Sequence, residues 1–156
     1  MFVFGINSAL RISDILPQRV WDVRGKTHHR VKEKKTGKTR RILMTEGLRS
    51  EVAKYIQGKA DSDWLFPSRK GDQPITRQRA WDILNRAARE VGIDGLIGTH
   101  TLRKTFGYHF YYFHPVYHHD VAMLQKMFGH SSPSYTLRYI GVDDAMIDAA
   151  YEDFYL

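Results

Sequence analysis

The chain has 156 residues, 42% of them hydrophobic, which is enough for one ordinary globular core without staples. It has no cysteine, which excludes a disulfide framework or a thiolate metal site and fits a reducing cytoplasm; no stretch reaches the ~20 apolar residues of a membrane span, and the apolar start lacks a signal peptide's basic leader. With 24 Lys and Arg against 17 Asp and Glu the formal charge is +7, so the leading partner is a polyanion, nucleic acid first.

Apolar residues Ile6, Leu10, Ile12, Ile15 and Leu16 predict a helix over Phe2 to Leu16 that stops before Pro17 and carries Arg11 on a mostly buried face. Arg19 to Met44 is basic and turn-rich, with Arg24-Gly25-Lys26 and Lys35-Thr36-Gly37-Lys38 as turn candidates, and predicts a small antiparallel sheet. Thr45 is placed to cap a helix bearing Leu48, Val52, Tyr55 and Ile56, ended by Gly58. Asp61 to Pro74 reads as a loop anchored by Trp64, Leu65 and Phe66. Thr76 caps the next helix, whose stripe is Ala80, Leu84, Ala87, Ala88 and Val91, before Gly92. Helices are then expected over roughly Thr101 to Phe113, His119 to Phe128, Ser134 to Ile140 and Asp143 to Phe154. The expected fold class is α+β, mainly helical, with the sheet in the N-terminal third; residues 1–156 read as one domain without internal repeats.

Two stretches carry candidate chemistry. In THTLRKTFGYHF, His100 and Arg103 lie three apart at a helix start and so share a face; alone, this pattern is ordinary for a polar first turn. In FGHSSPSYTLRYIG, Tyr139 follows His130 by nine residues, and a lone tyrosine among apolar neighbours is usually core. His109, His114, His118 and His119 invite a metal reading, but Pro115 interrupts their helix and no HExxH pattern occurs, so a partly exposed histidine-rich turn is expected instead.

Taken together and in order, Ala9-Leu10-Arg11-Ile12-Ser13-Asp14, Lys35-Thr36-Gly37-Lys38, His100-Thr101-Leu102-Arg103 and Gly129-His130 through Arg138-Tyr139 resemble the tyrosine recombinase family, the phage-type integrases. The resemblance covers nearly the whole chain. It implies a helical catalytic domain in which Tyr139 attacks a DNA backbone phosphate, forms a 3′-phosphotyrosyl bond and releases a 5′-hydroxyl, with no ATP, metal or other cofactor. Arg11 and Arg103 then neutralise the non-bridging oxygens of the five-coordinate phosphorus, a task suited to a planar, permanently charged fork. A phenol titrates near pH 10, so its proton must be taken, and His100 is the base implied. Lys35 is the implied general acid for the leaving 5′-oxygen, Lys34 and Lys38 remaining alternatives in the same basic run, while His130 hydrogen-bonds the phosphate. Asp14, three residues after Arg11, is placed to orient its guanidinium, and Lys38, Arg40 and Lys104 are expected on the DNA.

The implied partners are double-stranded DNA and further copies of the chain, as a tetramer on DNA with the final helix packing either on a neighbour or on its own domain; no membrane is implied. The setting is a bacterial or phage cytoplasm, and the gene is of the kind carried by phages and mobile elements. Three features depart from the family pattern, one being a His100 to His130 interval longer than the family's, with the extra residues near His114 to His119. The segment and clamp arm that precede the first arginine box in the family are missing ahead of Arg11, so the domain is expected to be shortened at its N-terminus, and Ser8-Ala9 stands where Thr-Gly is usual. Two other functions stay open at this point: a non-catalytic DNA-binding remnant or regulator, and a type IB topoisomerase-like strand-relaxing enzyme.

Overall fold

The structure is a computed structural model that describes residues 1–95 and 97–152. It divides into two compact units, Met1–Arg103 and Lys104–Leu156.

In the first unit the expected N-terminal helix is broken in two. Helix α1 spans Phe2–Ser8 and α2 spans Ile12–Ile15, and between them Ala9 takes a left-handed conformation (φ 56°). The break has a packing cause. Phe4, Ala9, Leu10, Ile12 and Ile15 are all 3% exposed or less, and these positions point all around a straight helix, so one apolar stripe could not bury them together. Arg11 is therefore not on a buried helix face: it is the N-cap of α2, with extended backbone.

Arg19 to Asp22 closes as a capped 3₁₀ turn over Val20–Asp22, its first N–H bonded to the Asp22 carboxylate at 2.8 Å. The sheet follows as a single hairpin, β1 His28–Lys32 against β2 Thr39–Leu43, antiparallel with Lys32 opposite Thr39. Its alternation turns His29, Val31 and Ile42 inward. The tip is closed by Glu33 N–H to the Lys38 carbonyl (2.9 Å) and Gly37 N–H to the Glu33 carbonyl (2.8 Å), with Gly37 at φ 69°, where a side chain would be strained. Helix α3, Glu46–Tyr55, and helix α4, Arg77–Glu90, start at the expected caps: Thr45 accepts from Leu48 N–H and Thr76 from Arg79 N–H. The α4 stripe ends early, because Ala80, Leu84 and Ala88 are buried while Val91 is exposed, and Asn85 joins the buried face. Leu65 and Phe66 enter the core as anticipated, and the Arg19 guanidinium covers the Trp64 ring at 3.5 Å.

The boundary between the units falls inside helix α5, Thr101–Phe113. In the second unit, α6 is Val121–Phe128, capped by Asp120 and ended by left-handed Gly129; α7 is Pro133–Ile140, capped by Ser132. A Cβ on Gly107 of α5 would lie 2.6 Å from Phe128 and 2.7 Å from Ile140, so this glycine is the close-approach point of the bundle. Helix α8, Asp144–Glu152, buries none of its residues. Phe154, assigned to its stripe from the sequence, lies outside the described residues. Among the described residues no helix is long and apolar enough to cross a membrane.

Candidate active site

The first unit gathers two arginines from opposite ends of its sequence. The left-handed turn at Ala9 takes that residue's carbonyl out of any helical ladder, and Arg103 Nη1 donates to it at 2.7 Å across 94 positions. Arg103 is 1% exposed, so its fork is fixed beside the segment that ends in Arg11. Arg11 sits two residues later, its side chain 14% exposed, with Nη1 3.1 Å from Glu33 Oε1.

Glu33 went unnoticed in the sequence, where it is one acid in a basic run. Its side chain is 2% exposed and engages three partners: Arg11 and Arg40 at Oε1 (3.1 and 2.9 Å) and the Thr36 hydroxyl at Oε2 (2.7 Å). Burial alone would raise its pKa. The bonds from Thr36 and Arg40 and the charges of Arg11 and Arg40 outweigh that, and the carboxyl is held below its ordinary range. Arg40 is thereby engaged in the interior, with 14% of its side chain exposed, whereas Lys35 and Lys38 on the hairpin tip and Lys104 on α5 are exposed.

Asp14 does a different job from the one anticipated. Its carboxylate accepts the Lys34 N–H at 2.9 Å and its backbone carbonyl accepts from Gln18, so the acid beside the first arginine pins the root of the hairpin tip. The cause is the helix break: with Arg11 on the cap, Asp14 falls inside α2 and faces the hairpin, and at 1% exposure its charge requires a partner there.

His100 and Arg103 do not share an exposed face, because the helix starts at Thr101 and leaves His100 on the preceding turn, exposed, while Arg103 turns inward. His100 edges an open cleft of about 530 Å³ with Arg77, Gln78, Trp81, Gly98 and Thr99. Asn85 holds that turn in place: its amide donates to the Ile97 carbonyl (2.6 Å) and accepts the Ile97 N–H (2.8 Å), a two-way clamp that no sequence pattern announced.

The second unit holds the candidate nucleophile. His130 and Tyr139 are ring neighbours, their centroids 5.1 Å apart and steeply inclined, and Phe128 lies against both. Lys104 Nζ lies 5.7 Å from the Tyr139 ring centroid. His130 is held through its backbone, N–H to Gln125 carbonyl and carbonyl from Gln125 amide, both at 3.1 Å. It is held through its ring as well, Nδ1 lying 3.1 Å from the Thr136 hydroxyl. That hydroxyl donates to the Ser132 carbonyl at 3.1 Å, so Nδ1–H is the donor toward Thr136. The four histidines of the aromatic-rich turn do not converge: among the described residues no group of three His, Cys, Asp or Glu is placed to hold a metal ion.

The described residues form helices and one two-stranded antiparallel hairpin, and solved structures agree on that fold. A XerH site-specific recombinase bound to a palindromic difH substrate superposes with a TM-score of 0.75 at 19% identity, over 96% of this chain and 43% of that one. The Phage integrase family model matches residues 1–146. The chain belongs to the phage integrase family, that of the tyrosine-type site-specific recombinases. A probable integrase/recombinase, YoeC, of Bacillus subtilis (strain 168) is 50% identical over 154 residues, 99% of this chain and 82% of the relative. The tyrosine recombinase XerD of Listeria innocua serovar 6a is 31% identical over 119 residues, 76% of this chain and 38% of the relative. The chain thus spans most of one curated relative and well under half of the other.

Proposed function

We propose that this chain is a DNA strand-transfer domain that cleaves and rejoins DNA at a specific site through a covalent bond between Tyr139 and a 3′-phosphate. The observation that carries this is the tether from buried Arg103 to the Ala9 carbonyl, because it fixes two permanently charged forks near one another in a chain whose Arg11 and Arg103 boxes match the family's. A structural core has no need of that arrangement, and burying guanidinium charge is costly.

In the reaction, the Tyr139 phenol oxygen forms a bond to phosphorus as the bond to the 5′-oxygen breaks. His100 takes the phenol proton and Lys35 gives one to the leaving 5′-oxygen. Arg11 and Arg103 stabilise the charge on the non-bridging oxygens, and His130 donates a hydrogen bond to the phosphate. The phosphotyrosine keeps the energy of the broken phosphodiester, so the 5′-hydroxyl of another strand reseals it without a cofactor. Exposed Lys38 and Lys104 hold the flanking backbone, Arg40 steadies that surface from behind, and residues 1–156 act as one catalytic domain. Exchange of two duplexes needs four copies on the DNA, within a bacterial cytoplasm.

A nicked suicide substrate, whose 5′-end diffuses away after cleavage, tests this. A covalent protein–DNA adduct that vanishes in Tyr139→Phe is the expected result; no adduct on attachment-site DNA would sink the proposal and leave a DNA-binding regulator. Relaxation of supercoiled plasmid without sequence preference would move the chain to the topoisomerase-like alternative.

A further inference from the structure

The buried carboxylate of Glu33 stands between Arg11 and the hairpin tip that carries Lys35, two of the cationic groups that the proposed reaction uses from the first unit. On one side it contacts Arg11 Nη1 at 3.1 Å, and on the other it accepts the hydroxyl of Thr36 at 2.7 Å, the residue directly after Lys35. Arg40 Nη1 at 2.9 Å completes its shell from β2. The carboxyl is 2% exposed and lies at the end of β1, where its own backbone closes the hairpin tip in both directions, to Lys38 and from Gly37. One residue therefore shapes the loop that carries Lys35, bonds that loop's side chain, and contacts the guanidinium of Arg11.

We infer that Glu33 is a positioning residue that locks the Lys35 hairpin to the Arg11 guanidinium, so that the general acid and half of the phosphate clamp are set by the same carboxylate. The inference rests on the proposed strand-transfer function. Charge balance supports it: Arg11 and Arg40 with Glu33 leave one net positive charge, enough to attract phosphate, whereas two unbalanced guanidiniums would repel one another. The carboxyl stays ionised throughout the neutral range. A purely structural anchor would need neither the contact with Arg11 nor the bond to the hairpin tip.

The two links are separable by leaving-group chemistry. With oxygen at the 5′-bridging position, the phosphorus–oxygen bond breaks as Lys35 donates its proton to that oxygen. With sulfur there, the phosphorus–sulfur bond breaks and the thiolate departs without a proton, since a thiol titrates far below an alcohol. A misplaced Lys35 is then forgiven, and a misplaced Arg11 is not.

The experiment compares the whole chain with Glu33→Gln and Thr36→Val on nicked DNA carrying either atom. Glu33→Gln is expected to form adduct about 10²-fold more slowly on the oxygen substrate and to recover about 10-fold of that on sulfur, the remainder being the Arg11 share. Thr36→Val, which cuts only the hairpin link, is expected to lose about 10-fold on oxygen and to match the parent on sulfur. A parental rate for Glu33→Gln overturns the inference, as does an equal loss on both substrates or a Thr36→Val with no defect. A measurement without DNA keeps the test independent of activity: in Glu33→Gln the Arg11 Nε–H resonance shifts and the Gly37 amide exchanges faster, while the melting temperature holds within a few degrees. If those signals stay in place the inference falls whatever the kinetics; if they move but the parent makes no adduct, the strand-transfer function fails instead.

Discussion

Residues Met1 to Arg103 hold their candidate groups by charge and by hydrogen bonds to backbone: Glu33 between Arg11 and Arg40, Asp14 on the hairpin, Arg103 on the Ala9 carbonyl. The second unit adds rings: His130 touches Phe128, Tyr135 and Tyr139, both Phe128 and Tyr135 also touch Tyr139, and hydrogen bonds from Gln125 and to the Thr136 hydroxyl hold His130. The difference fits what the proposed reaction asks of each group. A cation that stabilises a transition state is useful only if its direction is fixed beforehand, and a buried cation is tolerated only with partners, so the first unit invests in carboxylates and carbonyls. A nucleophile has to approach phosphorus and leave it again. Aromatic edges help orient the Tyr139 ring, with Lys104 Nζ 5.7 Å from its centroid, and Tyr139 remains half-buried in that setting.

The sharpest way to break this contrast is to replace one group in each unit. Arg103→Lys keeps a charge but loses the fork that reaches Ala9 and, in the proposed reaction, a phosphate, and is expected to slow adduct formation by about 10³ to 10⁵. Tyr139→Phe should abolish adduct altogether while DNA affinity, and its steep decline with salt, stay near those of the parent. Gel quantification of the adduct and binding titrations at several salt concentrations read both. A lysine variant as fast as the parent would mean that Arg103 is no more than a core strut.

Packing rather than charge sets the next effect. Gly107→Ala drives a methyl into Phe128 and Ile140, and should cost about 1–3 kcal/mol, read as a lower melting temperature and faster amide exchange in α5 to α7. A neutral result would show that the aromatic unit is loosely packed and that its rings do not orient Tyr139.

Acid should weaken the first unit through two of its groups. Burial holds His29 below its free value of 6.5, with the nearby Asp22 carboxylate opposing and Lys26 assisting. Between the depressed folded value and 6.5 the unfolded chain binds more protons, so this stability is complete above 6.5 and drains away as the pH falls through the folded value. Glu33 contributes with the same sign at lower pH: full above the ordinary carboxylate value, lost as the pH drops through its depressed one. Melting curves between about pH 7 and 3 should decline in two stages, and His29→Leu should remove the upper one. A profile unchanged by that substitution would remove the histidine from the account.

Much of this architecture was legible from local chemistry. Thr45 and Thr76 start helices because their hydroxyls satisfy the first free N–H groups, and Thr36-Gly37 turns the hairpin because glycine accepts a positive φ. The catalytic candidates stood out through their resemblance, box by box and in order, to the tyrosine recombinase family. Glu33, Asn85 and Gln125 were not visible in that way: each acts on a partner that only the folded chain brings near, and an acid in a basic run or an amide in a helix reads as surface until its partner is known. The break at Ala9 was hidden for a related reason, since alanine is the best of helix formers and nothing around it signals a turn.

That alanine supports the smallest and most discriminating expectation. It stands where the family pattern has glycine, and its left-handed φ of 56° explains why glycine would suit the position. Ala9→Gly relieves strain of about 1–2 kcal/mol. Against this, it gives up a buried methyl worth about 0.8 kcal/mol and adds freedom to the unfolded chain worth about 0.4–1 kcal/mol. The terms nearly cancel, so the melting temperature and the adduct rate should stay close to the parent's, with the Ala9 carbonyl still held by Arg103. A loss well beyond 1 kcal/mol would instead mean that residue 9 is helical in solution. The carbonyl would then be paired within the helix and unavailable to Arg103, and the tether that gathers the two arginines would be lost with it.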